Sequence, residues 1–490
     1  MGKAWEITQI IISFIFANLI IINLLLAIMV VFFQRKEPKS VWIWLLILYF
    51  IPIIGFIFYL LIGTDMHKRR IFRTKEIEDR ISNLIRNQSL TIRNKELSLD
   101  NEIIDRYSDL IIYNLETSGA ILTSNNEINI ISDGQEKFRA LLDDLKKAEK
   151  SIHLQYYIIR EDEVFESIRT ILKEKAKRGV EVRVLYDCMG SRHVREKYWR
   201  ALRNDGIQVV GFFPALLRRL HLRVNYRNHR KIVVIDSKIA YVGGFNVGRE
   251  YIGKVEYFGY WRDLHLRVAG EAVLPLQVRF ILDWNHAAPE FHLSMDRYLT
   301  RVPLTDIGIC DMQIITDGPD TRIQNIRDNY LRLISKAKKS IFIQTPYFIP
   351  DEAIISALMI AIYSGIEVNI MIPGKPDHPF VYWATYYHIG EMVMAGANCY
   401  TYEKGFMHAK VMVVDEEVIC CGTANMDIRS FTLNFEVNAT IYNAEKAVEM
   451  AAIFAEDQKN CKQITKDKYL GRSLKVRFKE QTCRILSPLL

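Results

Sequence analysis

Two histidines carry the most informative spacing in this chain. His229 is followed by Lys231 and Asp236, and His408 by Lys410 and Asp415, so the pattern His-x-Lys-x-x-x-x-Asp occurs twice. The first copy runs on to Gly243-Gly244-Phe245-Asn246 and the second to Gly422-Thr423-Ala424-Asn425, with the small residues and the Asn at matching offsets. The apolar runs Val233-Val234-Ile235 and Val411-Met412-Val413-Val414 predict buried strands, and on a strand residues i and i+2 share a face. His and Lys of each copy are therefore expected to point together. A fixed cation beside an imidazole suits a phosphate ester: the lysine neutralises non-bridging oxygens while a neutral ring nitrogen attacks phosphorus. Two such pairs facing one another would supply a nucleophile and a general acid. Each imidazole then needs an acceptor for its other nitrogen, and Asp263 and Glu436, in later strand-like runs, are the candidate orienting carboxylates. Asp236 and Asp415 fall on the opposite parity near a strand end, which gives them a supporting role in the turn.

The duplication extends beyond these motifs. Lys150-Ser151-Ile152-His153-Leu154-Gln155 parallels Lys339-Ser340-Ile341-Phe342-Ile343-Gln344, and Arg178-Gly179-Val180-Glu181-Val182-Arg183-Val184 parallels Ser364-Gly365-Ile366-Glu367-Val368-Asn369-Ile370. Helical periodicity over 138–148, 164–177, 329–337 and 353–363 alternates with these strands, so the expected class is α/β. A pseudo-twofold arrangement would set the two catalytic strands back to back and bring both histidines into one cleft between the halves.

These residues resemble the phospholipase D superfamily, whose single-chain members carry the His-Lys-Asp pattern twice, and the resemblance covers residues 128 to the C-terminus. It implies two phospholipase D-like α/β halves with mixed β-sheets and exchange at a phosphodiester through a covalent phosphohistidine. It implies neither a metal in the catalytic step nor a cofactor. By the same resemblance His229 is the nucleophile and His408 the acid; the sequence itself leaves the two interchangeable.

The N-terminus narrows the substrate. Residues 7–33 and 41–62 are almost wholly apolar, each long enough to span a bilayer, and together they predict a two-helix transmembrane hairpin over 1–65. Pro52 and Gly55 suggest a kink or a shallower path in the second helix. No small-x-small cleavage site follows the first run, which argues against a signal peptide. Lys68, Arg69, Arg70, Arg73 and Lys75 after the hairpin place the catalytic body in the cytoplasm, although Arg35, Lys36 and Lys39 in the intervening loop pull the other way. Seven cysteines without a C-x-x-C pair fit a reducing compartment. Net charge +8 suits an anionic partner. The greasy, basic stretch 212–223 reads as a lipid-facing lip. The remaining divisions are a connector over 66–127, a first half over 128–300, and a second half over 301–490 ending in a basic tail.

These flanks narrow the resemblance to the bacterial cardiolipin synthases. It rests on Pro38, Trp42, Pro52, Gly55, Tyr59 and Gly63 in the hairpin, the Gly-Gly and Gly-Thr tails of the motifs, and the closing Ser487-Pro488-Leu489-Leu490. It implies a multi-pass cell-membrane enzyme that joins two phosphatidylglycerol molecules into cardiolipin and glycerol, with His229, Lys231, Asp236, His408, Lys410 and Asp415 in catalysis. Asn246 and Asn425 would hold phosphate oxygens. The expected partners are phosphatidylglycerol and membrane lipids, not nucleic acid. A membrane-anchored phospholipase D, delivering the phosphatidyl group to water, is the alternative; a nuclease fits the hairpin poorly, and a non-enzymatic anchor fits two intact His-Lys pairs poorly.

Overall fold

The computed structural model describes residues 38–51, 86–92, 102–213, 226–299 and 307–486, with isolated positions before residue 38. The chain forms two compact units, one of residues 1–69 with 215–226, the other of 70–214 with 227–490. In the first, the helix Pro38–Phe50 buries Trp44 and Leu48 while Trp42, Leu46, Tyr49 and Phe50 remain exposed. Among the described residues no helix is long and apolar enough to cross a membrane. The two runs assigned to the hairpin, the charged residues 68–75 and most of the stretch 212–223 lie largely outside the described residues.

The second unit is built from a repeated sheet. Its first half contains β1 (Leu122–Asp133), β2 (Ser151–Tyr156), β3 (Glu181–Asp187), β4 (Gln208–Phe212), β5 (Arg227–Asn228), β6 (Ile232–Ile235), β7 (Ile239–Gly243) and β8 (Tyr260–Ala269). The second half begins with β9 (Cys310–Asp317), β10 (Ser340–Gln344), β11 (Phe348–Ile349), β12 (Glu367–Pro373), β13 (Asn398–Tyr402) and β14 (Gly405–Met407). It continues with β15 (Val411–Val414), β16 (Val418–Gly422), β17 (Met426–Asp427), β18 (Asn434–Tyr442) and β19 (Cys461–Gln463). Hydrogen bonding runs β4-β3-β2-β6-β7-β8-β1 in one half. It runs β13-β12-β10-β15-β16-β18-β9 in the other, the same order with the same mixture of parallel and antiparallel neighbours. The mixed sheets expected from the duplication are present, and β1 pairs with β9 to join their edges.

Alternation along the strands decides the layers. Ile232 and Val234 point into a core shared with Val411 and Val413 of the other half, so the two motif strands pack back to back. Val233 and Ile235 face the opposite way, onto the helices Gly134–Lys147 and Glu163–Lys177 through Leu141, Leu145, Phe165 and Leu172. Met412 and Val414 do the same in the second half, against Leu333, Ile354 and Leu358. Asp133, Asp162 and Asp351 cap three of these helices by accepting backbone N–H groups of the first turn. The connector expected over 66–127 takes a different form where it is described. Helix Glu102–Ser118 buries Ile104, Tyr107, Leu110 and Ile111 in the second half's core, and β1 begins at Leu122, so the body starts well before residue 128.

The halves interlock by exchange. Short β5 of the first half pairs with β18 of the second, and β14 of the second with β8 of the first. Buried arginines reinforce the contact. Arg230 donates to Asp283 at 2.8 and 2.9 Å and to the backbone carbonyls of Asp317 and Glu436 across the interface. Arg262 reaches across to Asp457 at 2.8 and 2.9 Å. Gln155 and Gln344, paired in the sequence repeat, donate to Asp283 and Asp457 respectively.

Asp236 and Asp415 each lead a tight hairpin, with positive φ at Asp236 and Ser237 (54° and 57°) and at Asp415 and Glu416 (54° and 57°). The two consecutive left-handed residues are the centre of each turn, closed by Lys238 N–H to Ile235 O and Glu417 N–H to Val414 O, and Asp tolerates that region better than most residues. Asp236 also accepts the backbone N–H groups of Glu149, Lys150 and Ser151 at 2.7–2.8 Å. Asp415 does the same for Lys338, Lys339 and Ser340. Each aspartate thus pins its hairpin to the start of the neighbouring strand. Asp236→Ala is expected to destabilise the fold by about 2–4 kcal/mol, because three N–H groups lose a charged acceptor. Glu416→Gly should stabilise it by about 0.5–1 kcal/mol by relieving the left-handed conformation. Chemical denaturation reads both; an unchanged midpoint for Asp236→Ala would remove the anchoring role.

Candidate active site

Neither motif histidine lies within a regular strand. His229–Lys231 bridges β5 and β6, and His408–Lys410 bridges β14 and β15, in extended segments that cross from the exchanged strand to the core strand. The His229 N–H donates to Phe435 O at 2.9 Å and the His408 N–H to Arg262 O at 2.7 Å, so each backbone is fixed by the opposite half. The side chains follow the same rule. His229 Nδ1 lies 2.9 and 3.0 Å from the carboxylate oxygens of Glu436, on β18. His408 Nδ1 lies 2.6 Å from Asp263 Oδ2, on β8. Both carboxylates singled out in the sequence therefore meet a motif histidine, and each serves the other half's.

The differing tails of the two motifs follow from this. A Cβ at Gly244 would stand 1.9 Å from Asp263 Oδ1, so only glycine leaves room for that carboxylate. At the matching position Thr423 donates its hydroxyl to Glu436 Oε2 at 2.5 Å. Asn434 adds a second donor to Glu436 at 3.0 Å.

With Nδ1 engaged, the other nitrogen of each ring is left for chemistry. Both histidines line one cavity of about 380 Å³. Asn246 and Asn425 line it too: Asn246 Oδ1 accepts the Ile158 N–H at 3.0 Å, and Asn425 Nδ2 donates to Asp427 at 3.2 Å. Lys231 and Lys410 do not share that wall, contrary to the expectation that His and Lys point together. Both are fully buried, with Nζ turned back to the carbonyl of their own histidine, at 2.6 Å for Lys231. They lie behind the imidazoles, close enough for their charge to act on both rings.

Much of the lining carries no motif in the sequence. Tyr157 stands edge-on to His229 at 4.9 Å between ring centres, and Trp261 lies 5.0 Å from His408. Arg227, Arg429, Tyr347, Asp377 and Asp427 complete the walls, with Tyr347 donating to Asp377. The signal for two of these was in the repeat, since Tyr157 and Tyr347 each follow closely on the duplicated segment that ends at Gln155 or Gln344.

Burial sets the charge states. It drives His229 and His408 down to about 4, with Lys410 contributing at both and the carboxylates opposing. Burial also lowers Lys231 to about 7 and Lys410 to about 8. It would raise Asp263, but Lys410 and His408 outweigh it and hold the group at about 2; Glu436 is likewise held low, by His229 and Lys231. The unliganded site therefore carries ionised carboxylates, neutral imidazoles and lysines close to losing their protons.

Fold and site together define a duplicated α/β architecture in which two imidazoles, each backed by a lysine and oriented by a carboxylate, open onto one cavity. The family model described as cardiolipin synthase, PLD-like domain, matches residues 141–256 and 330–458. A second, phospholipase D-nuclease N-terminal, matches 21–63. The chain is 47% identical to the major cardiolipin synthase ClsA of Bacillus subtilis (strain 168), over 99% of this chain and 100% of that protein. It is equally similar to the cardiolipin synthase of Staphylococcus aureus (strain Mu50 / ATCC 700699), over 100% and 99%. The fold is shared with the crystal structure of phosphatidylserine synthase from Haemophilus influenzae Rd KW20, at TM-score 0.59 and 14% identity over 79% of this chain and 98% of that one. This chain belongs to the cardiolipin synthases, phosphatidyltransferases of the phospholipase D superfamily.

A pH titration tests the charge states. Because burial depresses both imidazoles, their neutral forms should persist as pH falls through the ordinary histidine range of about 6.5. In ¹⁵N-histidine NMR of the unliganded protein, the resonances lost in His229→Gln and His408→Gln should titrate near pH 4. A midpoint near 6.5 for either residue would contradict the site described here.

Proposed function

We propose that the enzyme joins two phosphatidylglycerol molecules into cardiolipin and glycerol through a phosphatidyl-histidine intermediate. The observation that carries the reading is the reciprocal carboxylate support, which leaves one reactive nitrogen of each imidazole open to a single cavity. His229 Nε2 attacks phosphorus of the first lipid, the bond to the glycerol oxygen breaks, and His408 gives that oxygen a proton. The monoanionic phosphodiester, once bound, raises His408 from its low value, so the acid is charged where it is needed, while His229 stays neutral as the nucleophile. Lys231 and Lys410, from behind the rings, offset charge growing on the non-bridging oxygens, and Asn246 and Asn425 hold those oxygens. The glycerol hydroxyl of the second lipid then passes its proton to His408, attacks phosphorus and releases His229. Arg227 and Arg429 suit the second lipid's own phosphate, while Asp377 and Asp427 can accept glycerol hydroxyls.

The membrane reading belongs with this proposal. Residues 1–65 form the transmembrane hairpin, the residues between it and helix Glu102–Ser118 connect it to the two halves, and the catalytic body lies on the cytoplasmic side of the cell membrane. The apolar runs of the sequence and the family match at 21–63 support it. A lipid surface offers glycerol hydroxyls at high local concentration, which favours transfer over hydrolysis.

Purified protein given phosphatidylglycerol alone should yield cardiolipin and glycerol in equal amounts with little phosphatidic acid, and added glycerol should drive the reaction backwards. His229→Ala should abolish turnover, a loss of about 10⁴-fold or more. His408→Ala should retain slow formation of the intermediate when the leaving alcohol is a good one, such as p-nitrophenol. Phosphatidic acid as the main product at every lipid density would make the enzyme a hydrolase.

A further inference from the structure

The basic C-terminal segment forms the helix Leu474–Leu486, and its residues sort by angle into three functions. Glu480 and Cys483 are buried, with Val476 half-buried beside them. Cys483 packs with Ile349 and Ala384, a cluster that also holds Val381, and Ile349 and Val381 line the active-site cavity. The helix therefore lies one layer behind the cavity wall, against helix Pro379–Ala395. On the side turned away, at positions separated by four and seven residues, stand Leu474, Phe478 and Ile485, exposed by 81%, 72% and 67%. Lys475 and Lys479 flank this apolar stripe on one side, Arg477 and Arg484 on the other. Lys479 and Arg484 lie over the rings of Trp383 and Tyr387 of helix Pro379–Ala395. The helix's one acid, Glu480, is buried and paired with Arg472 at 2.8–2.9 Å, so no carboxylate of the helix faces outward.

We propose that this helix lies in the plane of an anionic phospholipid surface and docks the cavity-bearing face of the second half onto it. An apolar stripe bordered on both sides by cations is the form taken by helices that sink partway into the headgroup layer, aliphatic groups in the acyl boundary and ammonium or guanidinium groups among the phosphates. Each such cation gains from a negative surface and gains little from a zwitterionic one. Phe380, at the start of the neighbouring helix and next to cavity-lining Val381, is a further exposed apolar side chain, at 59%. The occupant is thus a bilayer rich in the enzyme's own anionic substrate; that last point rests on the function proposed above.

Hydrogen exchange on the full-length protein, in nanodiscs of phosphatidylglycerol, of phosphatidylcholine, or in detergent, tests the contact directly. Peptides covering 474–486 should exchange about tenfold more slowly in the phosphatidylglycerol discs than in the other two. Equal exchange in all three, or slowing that follows protein concentration in detergent as a contact between copies would, overturns the proposal. A second measurement uses the double variant Leu474→Ser, Phe478→Ser. Its rate on bilayer phosphatidylglycerol, divided by its rate on a water-soluble short-chain phosphatidylglycerol, should fall about tenfold relative to the parent protein. An unchanged ratio sinks the docking role. A parent protein inactive on both substrates would instead strike the reading of function, leaving the exchange result to stand by itself.

Discussion

The structure turns on the exchange of carboxylates between halves. Glu436 of the second half orients His229 of the first, and Asp263 of the first orients His408 of the second. Neither half could assemble this histidine–carboxylate pairing alone, so the catalytic arrangement and the docking of the two halves are one event. The exchanged short strands, the backbone bonds from His229 to Phe435 and from His408 to Arg262, and the arginines that cross the interface all serve the same register. A slip of one residue along β8 or β18 would turn the carboxylate to the wrong face of its sheet and leave an imidazole without its acceptor.

Burial then does the electrochemical work. Two lysines, two histidines and two carboxylates share a small, buried volume, where an unpaired charge is expensive and every neighbour counts. The compromise is visible in the directions of the shifts: carboxylates held ionised, imidazoles held neutral, lysines brought toward neutrality. Lys410 Nζ stands 2.7 Å from the same His408 Nδ1 that faces Asp263, and two protonated nitrogens repel at that distance.

Much of this was legible in the chain because duplication writes each feature twice. The repeated Gln155 and Gln344 segments located the strands, the apolar parity of 232–235 and 411–414 fixed which residues enter the shared core, and the carboxylates Asp263 and Glu436 could be chosen by strand context. Three things were not legible. The crosswise pairing depends on β5 and β14, two strands of only two and three residues, too short to leave a periodic signal. The retreat of the lysines behind the imidazoles depends on extended segments that are not strands, so the parity rule did not apply to them. The role of helix Glu102–Ser118 in the core was hidden by a mean hydropathy near neutral, because its charged residues, such as Asp105 and Arg106, mask an apolar face at helical spacing.

The two halves are matched in charge and mismatched in surroundings, and that mismatch makes the site asymmetric. Asp263, the shorter carboxylate, is accommodated by Gly244; Glu436, the longer, takes a hydroxyl from Thr423 and an amide from Asn434. His408 sits among Trp261 and Phe406, while His229 meets Tyr157, whose hydroxyl lies within electrostatic range of Arg227 and Arg429. Two chemically equivalent imidazoles would serve a symmetric exchange equally well in either role. The rings around His408 are apolar, whereas the ring beside His229 carries a hydroxyl within reach of two guanidinium charges. The asymmetry of the cavity is then a property of its walls and of the motif tails, which differ between the halves, and not of the His-x-Lys-x-x-x-x-Asp patterns, which match.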